Sequence, residues 1–142
     1  MPLNLRIIHS NDFLKTTATG EFDRDTSKQA LIQIAAANQA PHNHDVLLDV
    51  RNASSHLTML DIIDLVNLMV ANRSSFHHKL AILTHEGAQF DRAKFMELYA
   101  NNRGFHVAGF DDFEESFSWL TDSSPVVNSS LPIAEELKAV PV

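Results

Sequence analysis

The sequence predicts an α/β fold, with a mostly parallel sheet that starts with a β-hairpin, helices on its faces and the element order ββαβαβαβα. Three observations predict it. Val46-Leu47-Leu48-Asp49-Val50 and Lys79-Leu80-Ala81-Ile82-Leu83-Thr84 are short, nearly all-apolar runs of the kind found in strands covered on both faces. Helical patterns lie between and after these runs. Leu3 to His9 and the threonine-rich stretch Phe13 to Phe22 are extended segments separated by the turn signal Asn11-Asp12, which makes them a hairpin. Parallel strands need crossovers that return over the sheet, so the alternation implies helices packed on its faces.

Each further element has its own signal. A first helix follows Asp25, with Thr26 or Ser27 as its cap and Ala30, Leu31, Ile34, Ala35 and Asn38 on one side, until Pro41 closes it. A second runs from about Thr58 to Arg73, opened by the capping pair Thr58 and Asp61. A third spans Ala88 to Arg103 and stops at Gly104, where a left-handed residue often ends a helix. Phe105 to Phe110 is the last strand. A final helix starts at Asp111, paired with Glu114, and repeats Phe113, Phe117 and Leu120 at the spacing of a buried stripe. The domain therefore covers residues 1–121. Residues 122–142 form a Ser- and Pro-bearing tail in which only Ile133 to Val140 has the pattern of a short helix.

Composition narrows the function classes. The 142 residues are 44% hydrophobic and 20% charged, which is the balance of a folded domain. With no cysteine, there is no disulfide framework, thiolate metal site or cysteine nucleophile. Eleven basic residues against eighteen acidic ones give a charge of −7, so nucleic acid and anionic membranes are not expected partners. The Met59 to Ala71 run is interrupted by Asp61, Asp64 and Asn67 and is too short to span a bilayer. Arg6 and the brief Ile7-Ile8 pair do not make a secretory signal, so a cytoplasmic location is expected.

The histidines cluster as His42 with His44, His77 with His78, and His85 beside Glu86, but none has the spacing that sets two metal ligands on one helix face. No metal is expected. The four glycines stand too far apart to cradle a phosphate, so no nucleotide cofactor is expected either. Asp49 and Arg51, with Ser54 and Ser55 in the turn beyond them, form a candidate loop site at the carboxyl edge of the sheet, where open α/β sheets bind ligands. Ser54, Ser55 and His56 lack the Gly-x-Ser-x-Gly elbow that would present a nucleophile, so an enzyme is not expected.

The second helix carries more apolar surface than one sheet contact uses. Projected at about 100° per residue, Met59, Ile62, Ile63, Val66, Met69 and Val70 make a broad core-facing stripe, leaving Leu60, Leu65 and Leu68 outside it. On the third helix, Phe95 and Tyr99 lie away from Ala93, Met96 and Ala100. These five outlying residues are a candidate protein interface or apolar-ligand surface.

The element order, the strand Val46-Leu47-Leu48-Asp49-Val50 followed by a capped helix, the Asn102-Arg103-Gly104-Phe105 junction and the ending Gly109-Phe110-Asp111-Asp112-Phe113-Glu114-Glu115-Ser116-Phe117-Ser118-Trp119-Leu120 together resemble the SpoIIAA-like, or STAS-like, superfamily, in its branch of small stand-alone bacterial proteins. The likeness covers about Leu3 to Leu120. It implies a non-catalytic regulatory or protein-interaction module. In the anti-sigma factor antagonists of that superfamily, a serine at the start of the helix after this strand is phosphorylated by a partner kinase. Thr58 takes that position here, without the aspartate before it or the glycine after it, which makes Thr58 a candidate phosphoacceptor. The superfamily is also similar to the CRAL-TRIO lipid carriers. The expected protein is thus a cytoplasmic interaction module, a homodimer or partner-bound, that uses the second helix and the loop from Arg51 to Leu57. The rival is a binder of a small apolar, lipid-like ligand between the second and third helices.

Overall fold

The alternation of apolar runs and helical patterns becomes a five-stranded sheet in the computed structural model, which describes residues 4–9, 13–37, 44–76 and 78–122. The strands are β1 (Asn4–His9), β2 (Phe13–Phe22), β3 (Asp45–Ser55), β4 (Lys79–Leu83) and β5 (His106–Phe110), and they lie side by side in that order. β1 runs antiparallel to β2, pairing Asn4 with Thr19 and His9 with Leu14, while the other three pairings are parallel. The hairpin turn, His42, His77, Pro41 and the tail beyond residue 122 lie outside the described residues.

Among the described residues, four helices complete the order, α1 (Arg24–Ala37), α2 (Met59–Ala71), α3 (Ala88–Asn101) and α4 (Phe113–Thr121), with a 3-10 turn at Arg73–Ser75 after α2. The strand order never reverses, so right-handed crossovers put α1, α2 and α3 on the same face. α2 packs between α1 and α3, and α4 packs on β3, β4 and β5. The main core joins Leu48, Leu80 and Ile82 of the sheet to Ile34, Leu65, Val66 and Met69 of the helices. A second core sets Leu47, Ala81 and Leu83 against Leu120. Successive residues of β3 and β4 thus enter opposite cores, which is why their runs are apolar throughout.

Local chemistry sets the helix starts. Thr58 and Asp61 form the expected capping box, with the Asp61 N–H donating to Thr58 Oγ1 at 3.2 Å and the Thr58 N–H donating to Asp61 Oδ2 at 2.9 Å. For α1 the cap is Asp23 rather than Thr26 or Ser27. The Thr26 N–H donates to Asp23 Oδ1 at 2.8 Å and the Asp23 N–H to Thr26 Oγ1 at 2.9 Å, so Thr26 is the reciprocal partner of a box that starts three residues earlier. At α4 the cap moves one residue on: Asp112, not Asp111, accepts from the Glu115 N–H at 3.0 Å. α3 ends at Asn101, and Gly104, with φ of 91°, completes the turn into β5.

β3 is twice the expected length. Asn52, Ala53, Ser54 and Ser55 were expected to turn, but they pair with β2 as far as Phe22. Thr17 pairs with Asp49 and Thr19 with Asn52, so three β3 residues span two of β2, an irregularity of the kind a β-bulge makes. β4 stops opposite Asp49. The last stretch of β3 therefore has a free edge, and there the Gln89 side-chain amide of α3 donates to the Ala53 carbonyl at 2.9 Å.

Candidate functional site

β2, β3 and β4 run parallel and each leads into a helix on the same face, so α1, α2 and α3 all begin at the carboxyl edge of the sheet. Between them and the sheet lies a cavity of about 90 Å³. Its apolar wall includes Leu48, Leu65 and Met96, and its polar lining comes from Ser27, Ser55, Thr84, Gln89 and Arg92. The first two turns of α1 and α3 and the strand ends supply those polar groups. Thr84 donates to the His85 carbonyl at 2.8 Å and Gln89 to Ala53, so both are engaged. Ser27 is only 3% exposed, and its Oγ has no hydrogen-bond partner among the described residues. Arg92 is half-buried as a residue and makes no ion pair or hydrogen bond among the described residues.

Asp49 and Arg51 form a two-pronged pair. Arg51 Nε donates to Asp49 Oδ1 at 3.0 Å, Nη2 to Oδ2 at 2.9 Å, and the Arg51 backbone N–H also donates to Oδ1 at 3.0 Å. Burial alone would push the Asp49 carboxyl up, but the hydrogen bonds and the charge of Arg51, helped by Lys15, together hold it below its ordinary value of 3.8. Hydrogen bonding to Asp49 raises Arg51 in turn. Because the carboxyl is lowered in the folded state, its contribution to stability is present above the unfolded value and is lost as pH falls through the folded one. Asp49→Asn is expected to lower the Tm by several degrees at neutral pH, with the gap to wild type closing as pH falls below 3.8. Thermal melts across that range check it.

The other loop-site residues are in strand, not loop. Ser54 Oγ donates to the Gly20 carbonyl at 3.5 Å, and Ser55 Oγ accepts from the Leu57 N–H at 3.4 Å. Asp49 and Arg51 bond each other, whereas Ser55 lines the cavity. The structure thus does not gather the four into one site. Thr58 is exposed at the head of α2. Among the described residues, no group of three or more His, Asp or Glu side chains is placed to hold a metal ion.

The five apolar candidates separate. Leu65 is 4% exposed and belongs to the core and the cavity wall, so it is not an interface residue. Leu68 is half-buried against the same core. Leu60, at 73% exposed, is the one leucine of the three that faces solvent. α2 buries Ile62, Leu65, Val66 and Met69, a stripe turned by about 50° from the expected one. α2 packs against α1 as well as the sheet, and Arg24 of α1 reaches Asp64 at 3.1 Å, so the α1 side of α2 is covered. Met59, at 63% exposed, and Val70, also exposed, fall outside the buried stripe. Phe95 and Tyr99 stack on each other, centroids 6.0 Å apart, at the edge of the core, and Arg103 lies 3.5 Å over the Tyr99 ring.

Ser27, Gln89 and Arg92 were not singled out from the sequence. Their only signal is a polar residue near the start of a helix, next to positions that belong to the core, and many exposed residues share it.

Neither a protein-family model nor a curated protein matches the chain. Among solved structures, it is similar to an uncharacterised protein of the DUF3478 family with a SpoIIAA-like fold, from Shewanella loihica PV-4. The TM-score is 0.55 at 16% identity, over 83% of this chain and 93% of that one. Likeness at that identity is likeness of fold.

Proposed function

Given the SpoIIAA-like fold of the chain, we propose that it is a STAS-like, non-catalytic regulatory module of the cytoplasm that docks a second copy of itself through the outer side of α2. The observation that supports this is the character of that surface. α2 has two charged side chains, Asp61 and Asp64, and both are engaged, one in the cap and one with Arg24. What remains outward is Met59, Leu60 and Val70, with the uncharged Asn67 and Ala71 beside them. An uncharged apolar face is self-complementary across a two-fold axis and escapes the repulsion that a net charge of −7 imposes elsewhere. Thr58 stands at the foot of this face, so a phosphate there would add about two negative charges beside Met59 and Leu60 and oppose docking.

Sedimentation equilibrium from low to high micromolar concentration tests the docking. Wild type is expected to dimerise and Leu60→Asp to remain monomeric, with a melting curve that matches wild type at concentrations too low for dimerisation. A wild type that stays monomeric, or a Leu60→Asp variant that still dimerises, would sink the proposal.

The cavity beneath α2 favours a second role, the binding of a small molecule. Its volume suits a short chain.

A further inference from the structure

We propose that the outer edge of β1 takes up an extended acidic peptide as an added strand of the sheet, with the acidic side chains of that peptide meeting Arg6 and Lys15. This interface is separate from the α2 face and does not depend on it.

The sheet has two outer edges, and the described residues close only one of them. β5 lies at one side. Its residues turn alternately towards β4, where the Thr84 N–H donates to the Phe110 carbonyl, so the N–H groups of Val107 and Gly109 point away from the sheet. Side chains of α3 take both: the Val107 N–H donates to Asn101 Oδ1 and the Gly109 N–H to Glu97 Oε1, each at 2.9 Å. The bare end of β3 is met in the same way by Gln89. β1 lies at the other side. Every second residue of β1 faces away from β2, and no described residue bonds to those backbone groups.

Unpaired N–H and C=O groups along an edge recruit another strand, and proteins ordinarily blunt such an edge with a proline, a lysine or a bulge. β1 has none of these. It is six residues long, holds neither proline nor lysine, and pairs with β2 without a break from Asn4 with Thr19 to His9 with Leu14.

Charge selects the occupant. Within the paired stretch of β1 and β2 the charged side chains are Arg6 and Lys15, both positive. Arg6 sits opposite Thr17, and Lys15 is two residues from Thr17, so both stand on one face of the sheet, the face on which Leu47, opposite Lys15, meets α4. α4 packs on β3, β4 and β5, and neither cation has an ion pair among the described residues. Arg51 on the same face is already matched by Asp49, and Glu21 lies beyond the stretch that pairs with β1. A chain of net charge −7 thus keeps a positive corner beside its open edge. A second copy added edge to edge would bring the same two cations, whereas an extended segment with acids at alternate positions complements them and gains main-chain hydrogen bonds along β1.

Fluorescence anisotropy of labelled peptides against the full chain, with hydrogen exchange of its amides, tests this. The probes are an octapeptide of alternating glutamate and valine, one of alternating lysine and valine, and one with its glutamates in a block ahead of its valines. The first is expected to bind at least tenfold more tightly than the other two, and to slow exchange at every second amide of β1. Arg6→Glu combined with Lys15→Glu should cost at least tenfold, while Leu60→Asp binds like wild type. Of Ile7 and Ile8, one N–H faces β2 and the other faces out, so one of Ile7→Pro and Ile8→Pro should keep the wild-type Tm and yet bind at least tenfold more weakly. If that variant binds like wild type, if either control peptide matches the first, or if Leu60→Asp abolishes binding, the proposal fails. Should both proline variants lower the Tm, the exchange pattern decides, and slowing that does not alternate along β1 overturns strand addition. Alternate protection of β1 already present in dilute protein without peptide would mean that the chain covers its own edge, and protection that grows with protein concentration would mean that a second copy does. Either result overturns the acidic peptide as occupant.

Discussion

Leu65→Asp is expected to leave the chain unfolded, or to lower its Tm by tens of degrees, while Leu60→Asp five residues earlier leaves the Tm within about a degree or two of wild type. The two leucines occupy one helix and looked alike in the sequence. Leu65 is 4% exposed, packed among Ile34, Ile62 and Val66 in the main core, so an aspartate there is a carboxylate without a partner in an apolar interior. Such a charge is either retained at high cost or neutralised by a large rise in its pKa, and both routes consume more than about 4 kcal/mol. Small domains hold only about 5–15 kcal/mol in total. Leu60 is in water already, and replacing it removes apolar surface without disturbing the core. Far-UV circular dichroism and thermal melts of both variants decide the matter. A Leu65→Asp protein that folds and melts like wild type would mean that α2 is turned the other way, and the docking surface would have to be redrawn.

Gly109→Val is expected to destabilise the fold by about 3 kcal/mol, a Tm loss of about 10 °C. β5 and α3 approach closely at this glycine. A Cβ placed on Gly109 would lie 2.8 Å from Ala93 Cβ, 3.1 Å from the Ala93 carbonyl carbon and 3.3 Å from its oxygen. None of these atoms belongs to a flexible side chain that can swing aside, so the helix itself must move. The approach is tied further by the Gly109 N–H, which donates to Glu97 Oε1 of α3 at 2.9 Å. Gly109→Ala should be damaging to a lesser degree. Combining it with Ala93→Gly should recover part of the loss despite the helix cost of the second glycine, so that the double variant is more stable than the sum of the two singles. Strict additivity in that cycle would show that the contact is not where the strain lies.

How much of this was legible in the sequence depends on which physics acts. Capping at Thr58 and Asp61 was readable because it is a matter of residues three apart. The box at Asp23 and Thr26 was just as local, and was missed because Thr26 and Ser27 are equally good caps in isolation; the end of β2 at Phe22 decides between them. The same holds at α4, where Asp111 and Asp112 compete. The length of β3 was not legible, because Asn52 to Ser55 carry turn residues and become strand only by pairing with β2.

From its own pattern the chain determined the element order, the hairpin, the parallel pairing and the burial of its two central strands. Each of these follows from hydrophobic period and local hydrogen bonding, which act between near neighbours along the chain. Only the tertiary structure decided which side of α2 meets solvent, that Leu65 is core and Leu60 is surface, and that Ser27 of α1 and Arg92 of α3 line one cavity. Those outcomes depend on how three helices share one face of a sheet. A rotation of about 50° about one helix axis changes which residues are wet without changing any of the periodicities from which the helix was recognised.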